Sequence, residues 1–208
     1  MMALLTADEV RRCLGRHREQ RHREHRDWPV SGDHDLNPGM ELPVVLREAA
    51  VLVLLVERPK GLTLIFTLRT AHLAAHGGQI CFPGGHTEPE DENPEAAALR
   101  ETEEEIGLAR SCIDLIGRLD IYITRTGFRV TPIVGLIRPP FDLTPDADEV
   151  AEVFEMPLAV IMAPDMPQRE SRDVFGSRRQ FYAFPYQRRV IWGATAGMLV
   201  NLREVLGH

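Results

Sequence analysis

The sequence predicts an α/β protein of the α+β kind, with a mixed β-sheet sandwiched between α-helices. Several short runs rich in valine, leucine and isoleucine are typical of buried strands. Two other segments carry helix-capping residues or the helical spacing of apolar residues. The order of these elements follows neither a βαβ repeat nor an all-β rhythm, which favours the mixed class. A chain of 208 residues is long enough to bury a core of its own.

The first 46 residues are predicted to form an arm and a connector that precede a globular domain at residues 47–208. Residues 1–26 hold seven arginines against four acids, a pattern that indicates a solvated, mainly helical arm. Residues 27–46 are rich in proline, glycine and asparagine, which predicts the connector. An arm that contacts RNA or a membrane surface is the alternative, although no aromatic residues alternate with the arginines for base stacking.

Strands are predicted along most of the remaining chain. The run of valine and leucine at 48–57 indicates a buried strand, and a turn at 59–61 joins it to an alternating strand at 63–69. A short strand at 79–82 leads into the glycine loop Pro83-Gly84-Gly85. Further strands are predicted at 113–124, 128–137 and 149–156, followed by a surface hairpin at 168–186.

Two helices complete the prediction. Asn93 is a good N-cap, Pro94 fits the first helical position, and Gly107 suits the left-handed residue that ends a helix. These signals predict a helix over 94–106. A second, amphipathic helix is predicted over 191–206, where apolar residues recur at helical spacing.

The composition excludes several classes of protein. The balance of 24 basic against 31 acidic residues argues against a globally basic nucleic-acid binder. The longest apolar run, at 49–56, is far shorter than the roughly 18 residues of a membrane-spanning helix. Three cysteines without C-x-x-C spacing favour neither a disulfide framework nor a zinc site, and the first residues do not resemble a secretory signal. We therefore expect a cytoplasmic protein, with a homodimer left open.

The charge is concentrated around the predicted helix at 94–106. Residues 88–105 contain nine carboxylates and one base, Arg100. Glu101, Glu104 and Glu105 lie at i, i+3 and i+4, so they share one face of the helix, where like charges repel unless a cation lies nearby. Glu103 lies away from that face and is expected to be solvated. Carboxylates without histidine or cysteine favour a hard ion, Mg²⁺ or Mn²⁺.

A glycine loop precedes this acidic face. In Phe82-Pro83-Gly84-Gly85 the glycines allow backbone groups to approach a ligand closely. A glycine loop followed by clustered carboxylates and a single arginine predicts a site for a metal ion and a phosphate.

Residues 100–108 (Arg-Glu-Thr-Glu-Glu-Glu-Ile-Gly-Leu) resemble the second half of the Nudix box, R-E-U-x-E-E-x-G-U. Glu92 lies at the expected eight residues before Arg100, which leaves six residues between Gly85 and Glu92 where the family usually has five. The resemblance implies the Nudix fold. It also implies metal-dependent hydrolysis of a nucleoside diphosphate that is linked to another group.

The resemblance also implies roles for individual residues. Glu101 and Glu105 are expected to bind the metal, and Glu104 to be a further ligand, often through water. The backbone carbonyl of Gly85 is the expected fourth ligand, and Arg100 is expected to orient the carboxylates. These residues form the predicted catalytic centre.

The general base and the substrate contacts follow less directly. Glu149 and Glu152 are candidates for a further carboxylate near the metal, since family members often draw one from this region. Arg69 and Arg125 are candidates for the substrate phosphates because arginine binds phosphate bidentately. Phe128 is a candidate for stacking on a base.

Four further segments resemble the coenzyme A pyrophosphatase branch of the Nudix hydrolases, at 67–70, 78–85, 127–132 and 191–196. This branch implies a coenzyme A-type substrate and the products 3′,5′-ADP and 4′-phosphopantetheine. Ala74 and Ala75 stand where the branch commonly has basic residues, and Arg69, His72 and His76 could supply part of that charge.

Two alternatives remain open at this point. One is a Nudix pyrophosphatase for ADP-ribose, NADH or another dinucleotide, which the missing basic residues favour. The other, of a different class, is a catalytically weak nucleotide- or RNA-binding module.

Overall fold

A computed structural model describes residues 5–23, 30–72, 77–174 and 177–207. Within these residues a nine-stranded mixed sheet has the core order β1-β7-β8-β2-β3-β4, with β5, β6 and β9 pairing to β2, β8 and β3. Its strands are β1 (Val30–Gly32), β2 (Arg47–Arg58), β3 (Gly61–Arg69), β4 (Ile80–Cys81), β5 (Gly84–His86), β6 (Asp114–Arg118), β7 (Ile121–Ile123), β8 (Phe128–Ile137) and β9 (Val150–Pro157). The helices are α1 (Ala7–Arg23), α2 (Pro94–Ile106), the short α3 (Leu158–Ile161) and α4 (Gly193–Val205).

Strands β2 and β8 form the centre of the sheet. They run parallel over ten paired positions, from Arg47 opposite Phe128 to Val56 opposite Ile137. The other edge of β2 pairs with β5 near its start and with β3 near its end, both antiparallel. Because β2 has partners on both edges and both faces are covered, its side chains form the near-continuous apolar run seen in the sequence.

The two faces of the sheet bury two separate apolar clusters. Ala50, Leu52 and Leu54 point to the face that packs against α2. The intervening Ala49 and Val53 point to the opposite face, which packs against α1 and α4. This alternation follows from the period of two in a strand, and it produces the predicted sandwich of helices around a mixed sheet.

A second sheet of three antiparallel strands lies beside α4, made of β10 (Gln168–Val174), β11 (Ser177–Tyr186) and β12 (Arg189–Trp192). The first two strands form the predicted hairpin. Phe184 and Ile191 of this sheet are fully buried in the cluster beneath α4. The second sheet is therefore attached to the main core by its apolar face.

The N-terminal segment differs from the solvated arm that we expected. Val10 and Leu14 of α1 are buried with exposures of 0% and 2%, and they belong to the same cluster as α4. Arg12, Arg16 and Arg18 of α1 are exposed, and the number of arginines in this segment hid an apolar stripe. The connector also contains β1, which pairs in parallel with β7.

Other boundaries differ by smaller amounts. The predicted strand 113–124 is divided into β6 and β7, and Leu119 and Asp120 between them are buried. The last helix begins at Gly193, because Ile191 and Trp192 belong to β12. Among the residues that the structure describes, no helix is long and apolar enough to span a membrane.

Candidate active site

Helix α2 positions the predicted metal ligands. Its first turn is fixed by the Asn93 side chain, which accepts a hydrogen bond from the Ala96 amide at 2.8 Å. Its last turn ends at Gly107 in the left-handed conformation, with a φ of 67°. Ala97 and Ala98 are fully buried against the sheet, which fixes the rotation of the helix. The face that carries the glutamates therefore lies over β5.

The short strand β5 brings a glycine directly beneath one of these glutamates. Gly85 pairs with Ala50 of β2. A Cβ atom at Gly85 would lie only 2.3 Å from Oε2 of Glu101. The Glu101 carboxylate thus occupies space that only glycine leaves free, and it lies against the backbone of the predicted carbonyl ligand.

Arg100 connects the carboxylates of the site. Its Nη1 donates to Glu101 at 2.9 Å and to Glu104 at 3.0 Å, while its Nη2 donates to the carbonyl of His86 at 3.0 Å. Asp91 binds the other side of the guanidinium bidentately, at 3.1 and 2.9 Å. These contacts raise the pKa of Arg100 above its ordinary value, so it is always charged. Arg100 thus holds the Glu101 and Glu104 carboxylates through hydrogen bonds.

The acid that binds Arg100 is Asp91, not Glu92, which lies at the motif position eight residues before Arg100. Glu92 is exposed, whereas the Asp91 side chain is only 6% exposed and its pKa is lowered by Arg100. Five residues separate Gly85 from Asp91, which is the usual spacing. Relative to the family's motif, the one additional residue therefore lies after Asp91 and before the N-cap Asn93, and the spacing between Gly85 and the acid is the usual one.

Glu105 is the most deeply buried of the three helix glutamates. Its side chain is only 3% exposed. The carboxylate accepts hydrogen bonds from Arg69 Nη1 at 2.9 Å and from the Gly84 amide at 3.2 Å. Burial raises the pKa of Glu105 to about 7, although Gly84 and Arg69 act in the opposite direction. Burial also raises the pKa of Glu101. A divalent cation at this position would favour the charged form of both groups.

Arg69 joins α2 to the segment before β9. Its Nη2 lies 3.5 Å from Oε2 of Glu149, while the Thr70 amide donates to the Glu149 carbonyl at 2.9 Å. The Glu149 side chain is 48% exposed, so water reaches it. Glu152, the other candidate base, is instead paired with Arg189. Of the two candidates, only Glu149 adjoins the glutamates of α2.

The remaining predicted residues lie across β2 from this group. Arg125 is exposed in the turn before β8, and its amide donates to Asp33 at 2.7 Å. Phe128 is half-buried, with the His86 ring 5.0 Å away between ring centres. The structure thus brings together six predicted residues, and Phe128 lies at the border of this group. Among the described residues, Arg125 forms no hydrogen bond or ion pair with another predicted site residue. The six are Arg69, Gly85, Arg100, Glu101, Glu105 and Glu149, and Glu104 joins them through Arg100.

The donor set fits a hard divalent cation. The side chains over Gly85 supply carboxylate oxygens, which Mg²⁺ and Mn²⁺ prefer. Glycine at position 85 also leaves its backbone carbonyl approachable. In the arrangement described, Glu101 and Glu104 point to Arg100 and Glu105 to Arg69, so no three carboxylates among the described residues surround one point. Ion binding would require small rotations of these side chains.

The loop between β3 and β4 contains histidines that were predicted to supply part of the positive charge for a coenzyme A-type substrate. His72 is exposed at the start of that loop. Ala74, Ala75 and His76 lie outside the described residues. Farther along, the backbone returns to the site, since the Arg69 amide donates to the Gln79 carbonyl at 3.0 Å.

Comparison with known proteins identifies the family. A model of the NUDIX domain matches residues 46–175. The chain belongs to the Nudix family. An Escherichia coli O7:K1 relative described as the uncharacterized Nudix hydrolase NudL is 39% identical over 163 residues, covering 77% of this chain and 83% of the relative. A relative of the same description from Shigella flexneri serotype 5b is 39% identical over 167 residues, covering 79% and 85%.

The chain also has a partial likeness to solved structures. A Nudix hydrolase from Alicyclobacillus acidocaldarius matches 78% of this chain and 93% of its own, with a TM-score of 0.48 and 16% identity. The mixed sheet between helices is the Nudix fold. The protein is a Nudix hydrolase that acts on pyrophosphate bonds, and such enzymes generally use divalent metal ions.

Proposed function

We propose that this Nudix hydrolase cleaves the diphosphate bond of coenzyme A or its derivatives, with Mg²⁺ or Mn²⁺, giving 3′,5′-ADP and 4′-phosphopantetheine. The observation that carries the reaction type is the glutamate face of α2 packed over Gly85, with Glu101 directly above that glycine. Such carboxylates hold a cation beside a backbone that a diphosphate can approach closely.

The coenzyme A assignment is supported by the positions of the four segments that resemble this branch. Thr67 of the first segment pairs with Cys81 of the second. The Thr195 hydroxyl, in the fourth, donates to the Ile80 carbonyl at 3.1 Å. In the third, Thr131 is the β8 partner of Ala50, which on its other edge pairs with Gly85. Three of the segments therefore contact one another at β3 and β4, and the third segment lies one strand away from β5, across β2.

Each residue then has a role in the reaction. A bound divalent ion neutralises diphosphate oxygens and makes a coordinated water more acidic. Glu101, Glu104, Glu105 and the Gly85 carbonyl would hold it, and Arg100 orients Glu101 and Glu104. Arg69, at the edge of the site, would donate to a diphosphate oxygen. Glu149 is exposed beside Arg69 and is our candidate to accept the proton of the attacking water.

A second candidate substrate class is ADP-ribose, NADH or another dinucleotide. Ala74 and Ala75 favour it, because they remove two basic side chains that coenzyme A recognition commonly uses. The reaction type and the roles of the residues on α2 are the same for both substrate classes.

The test is product chromatography after incubation with Mg²⁺ or Mn²⁺ and coenzyme A, ADP-ribose or NADH. We expect 3′,5′-ADP from coenzyme A, and a loss of at least about 100-fold in kcat/KM for Glu105→Gln. Glu103→Gln is the matched control, because Glu103 lies on the same helix but pairs with Arg110 away from the site. Wild-type turnover in Glu105→Gln would contradict the metal assignment. Cleavage of only ADP-ribose or NADH would replace coenzyme A by the second candidate.

A further inference from the structure

Arg47 and Phe128 form a stack at the corner of the sheet beside the active site, with the His86 ring next to it and tilted by 53° to the Phe128 ring. Arg47 begins β2 and is in register with Phe128, which begins β8. The guanidinium carbon of Arg47 lies 4.1 Å from the centre of the Phe128 ring, and the His86 ring lies 5.0 Å from the same ring. The stack presents a flat guanidinium on an aromatic support.

The stack is continuous with the catalytic residues. His86 directly follows Gly85, and its carbonyl accepts a hydrogen bond from Arg100 at 3.0 Å. Along β2, Arg47 is three residues before Ala50, the partner of Gly85, a distance of about 10 Å along the strand. A substrate with its diphosphate at Gly85 would have to extend over about this distance to bring another group to Arg47.

Arg47 differs from nearby arginines in its partners. Arg129, the next residue of β8, pairs with Glu48 at 3.1 Å, and Arg100 and Arg69 both bind carboxylates. Arg47 is exposed, and within the described residues its guanidinium has no carboxylate partner and donates only to the Thr126 carbonyl at 3.4 Å. This corner therefore offers a guanidinium without a carboxylate partner among the described residues.

The face of the sheet on which Arg47 lies separates it from the diphosphate site. Arg47 shares the parity of Ala49, which points to the α1 and α4 face, whereas Ala50 points to the α2 face. A phosphate bound by Arg47 is thus not one of the two at the catalytic centre. It would be a further phosphate, separate from the diphosphate that is cleaved.

We propose that Arg47, supported by Phe128, is a specificity-determining residue that binds a phosphate monoester on the ribose of the substrate. The planar guanidinium binds a phosphate through two parallel hydrogen bonds, and the aromatic ring holds its plane in place. This inference rests on the proposed function. It selects, among nucleoside diphosphate derivatives, those with a third phosphate, such as coenzyme A, over ADP-ribose or NADH.

The experiment compares coenzyme A with 3′-dephospho-coenzyme A as substrates of the wild type, Arg47→Gln and Arg138→Gln. Arg138 is the matched control, because it is an exposed arginine at the opposite end of β8 and pairs with Glu57. We expect the wild type to prefer coenzyme A by about 10-fold in kcat/KM, the usual effect of one charge-assisted contact. Arg47→Gln should abolish that preference while turnover of the dephospho compound stays within about twofold, and Arg138→Gln should preserve it.

A binding measurement separates this inference from the proposed function. Calorimetry with adenosine 3′,5′-bisphosphate and with AMP should show tighter binding of the bisphosphate, by about 10-fold, in the wild type but not in Arg47→Gln. Failure of the wild type to cleave either coenzyme A compound would overturn the proposed function. Cleavage of both compounds at equal rates, or an equal loss on both in Arg47→Gln, would overturn the role of Arg47 alone, as would equal affinity for the two nucleotides.

Discussion

At the scale of residues, the site depends on how one arginine distributes its hydrogen bonds. Arg100 donates hydrogen bonds to Asp91 from Nε and Nη2. It also donates from Nη1 to Glu101 and Glu104, and from Nη2 to the His86 carbonyl. Asp91 therefore fixes one side of the guanidinium, and the guanidinium fixes the Glu101 and Glu104 carboxylates of the proposed metal site. We infer that Asp91 is a positioning residue, since among the described residues it is linked to these carboxylates through Arg100.

We predict that Asp91→Asn lowers kcat/KM by about 10- to 100-fold, the usual cost of losing a residue that orients metal ligands. Glu92→Gln, one residue along the same loop, should change it less than twofold because Glu92 is exposed. Steady-state kinetics at saturating Mg²⁺ check both variants. Equal losses in the two variants would contradict the assignment of Asp91 as the residue that positions Arg100.

The same pair gives a prediction for stability against pH. Arg100 lowers the pKa of Asp91, so the pair stabilises the fold above the ordinary aspartate pKa of about 4, and this contribution is lost as the pH falls further. The unfolding free energy of Asp91→Asn should thus approach that of the wild type between about pH 6 and pH 3. Urea titrations across this range measure the difference, and a constant difference would contradict the assignment.

Residue periodicity predicted the glutamate face of α2, because i, i+3 and i+4 positions always share a side of a helix. The partner of Arg100 could not be found in this way. Asp91 and Glu92 are adjacent in a loop, where no period determines which side chain turns inward. Arg47 carried no motif at all, and its stack with Phe128 depends on the register between β2 and β8.

At the scale of elements, the three-residue strand β5 carries the site. Its sequence, Gly-Gly-His, has no strand propensity, and the sequence predicted only a glycine loop there. The strand forms because β2 has an unpaired edge between Ala49 and Val51. Such pairing depends on tertiary contacts, so local sequence could not reveal it. The helices and long strands were predicted well because their signals are local.

The two glycines of β5 give a paired prediction. In Gly85→Ala the new methyl meets only the end of the flexible Glu101 side chain, so the fold should persist while kcat/KM falls by at least about 10-fold. Gly84 has a φ of 144°, and a Cβ there would lie 2.4 Å from the Ala50 carbonyl oxygen. Gly84→Ala should therefore lower the melting temperature as well. Thermal unfolding and kinetics of both variants test this, and full activity in Gly85→Ala would remove Gly85 from the metal site.

At the scale of the whole molecule, the N-terminal helix belongs to the same core as the sheet. Leu14 packs close to Gly117 of β6, and Val10 lies in the cluster that also contains Leu202 of α4. His17 adds a polar contact to buried Asp120 at 2.9 Å, and Asn201 of α4 donates to the same carboxylate. This packing was not predicted from the sequence, because the many arginines of the segment indicated a solvated helix. The apolar stripe consists of only four small or medium-sized residues, Ala7, Val10, Cys13 and Leu14.

We predict that Leu14→Ala lowers the free energy of unfolding by about 2–5 kcal/mol, the range for removing a buried leucine side chain. Arg18→Ala, on the exposed side of the same helix, should change it by less than about 0.5 kcal/mol. Chemical denaturation measures both values. A small effect of Leu14→Ala would mean that α1 is dispensable for the fold and would favour the division of the chain at residue 46.

The position of Asp91 also bears on how this sequence is aligned with its relatives. An alignment anchored on Arg100 assigns the acid to Glu92 and introduces a gap between the acid and the glycine. An alignment anchored on Gly85 places the gap after Asp91, in the exposed stretch before Asn93, where one residue more or less changes no contact of the guanidinium. We therefore expect an insertion at that point to leave the contacts of the guanidinium unchanged, so that the distance of the acid from the glycine is a better guide to its position than its distance from Arg100.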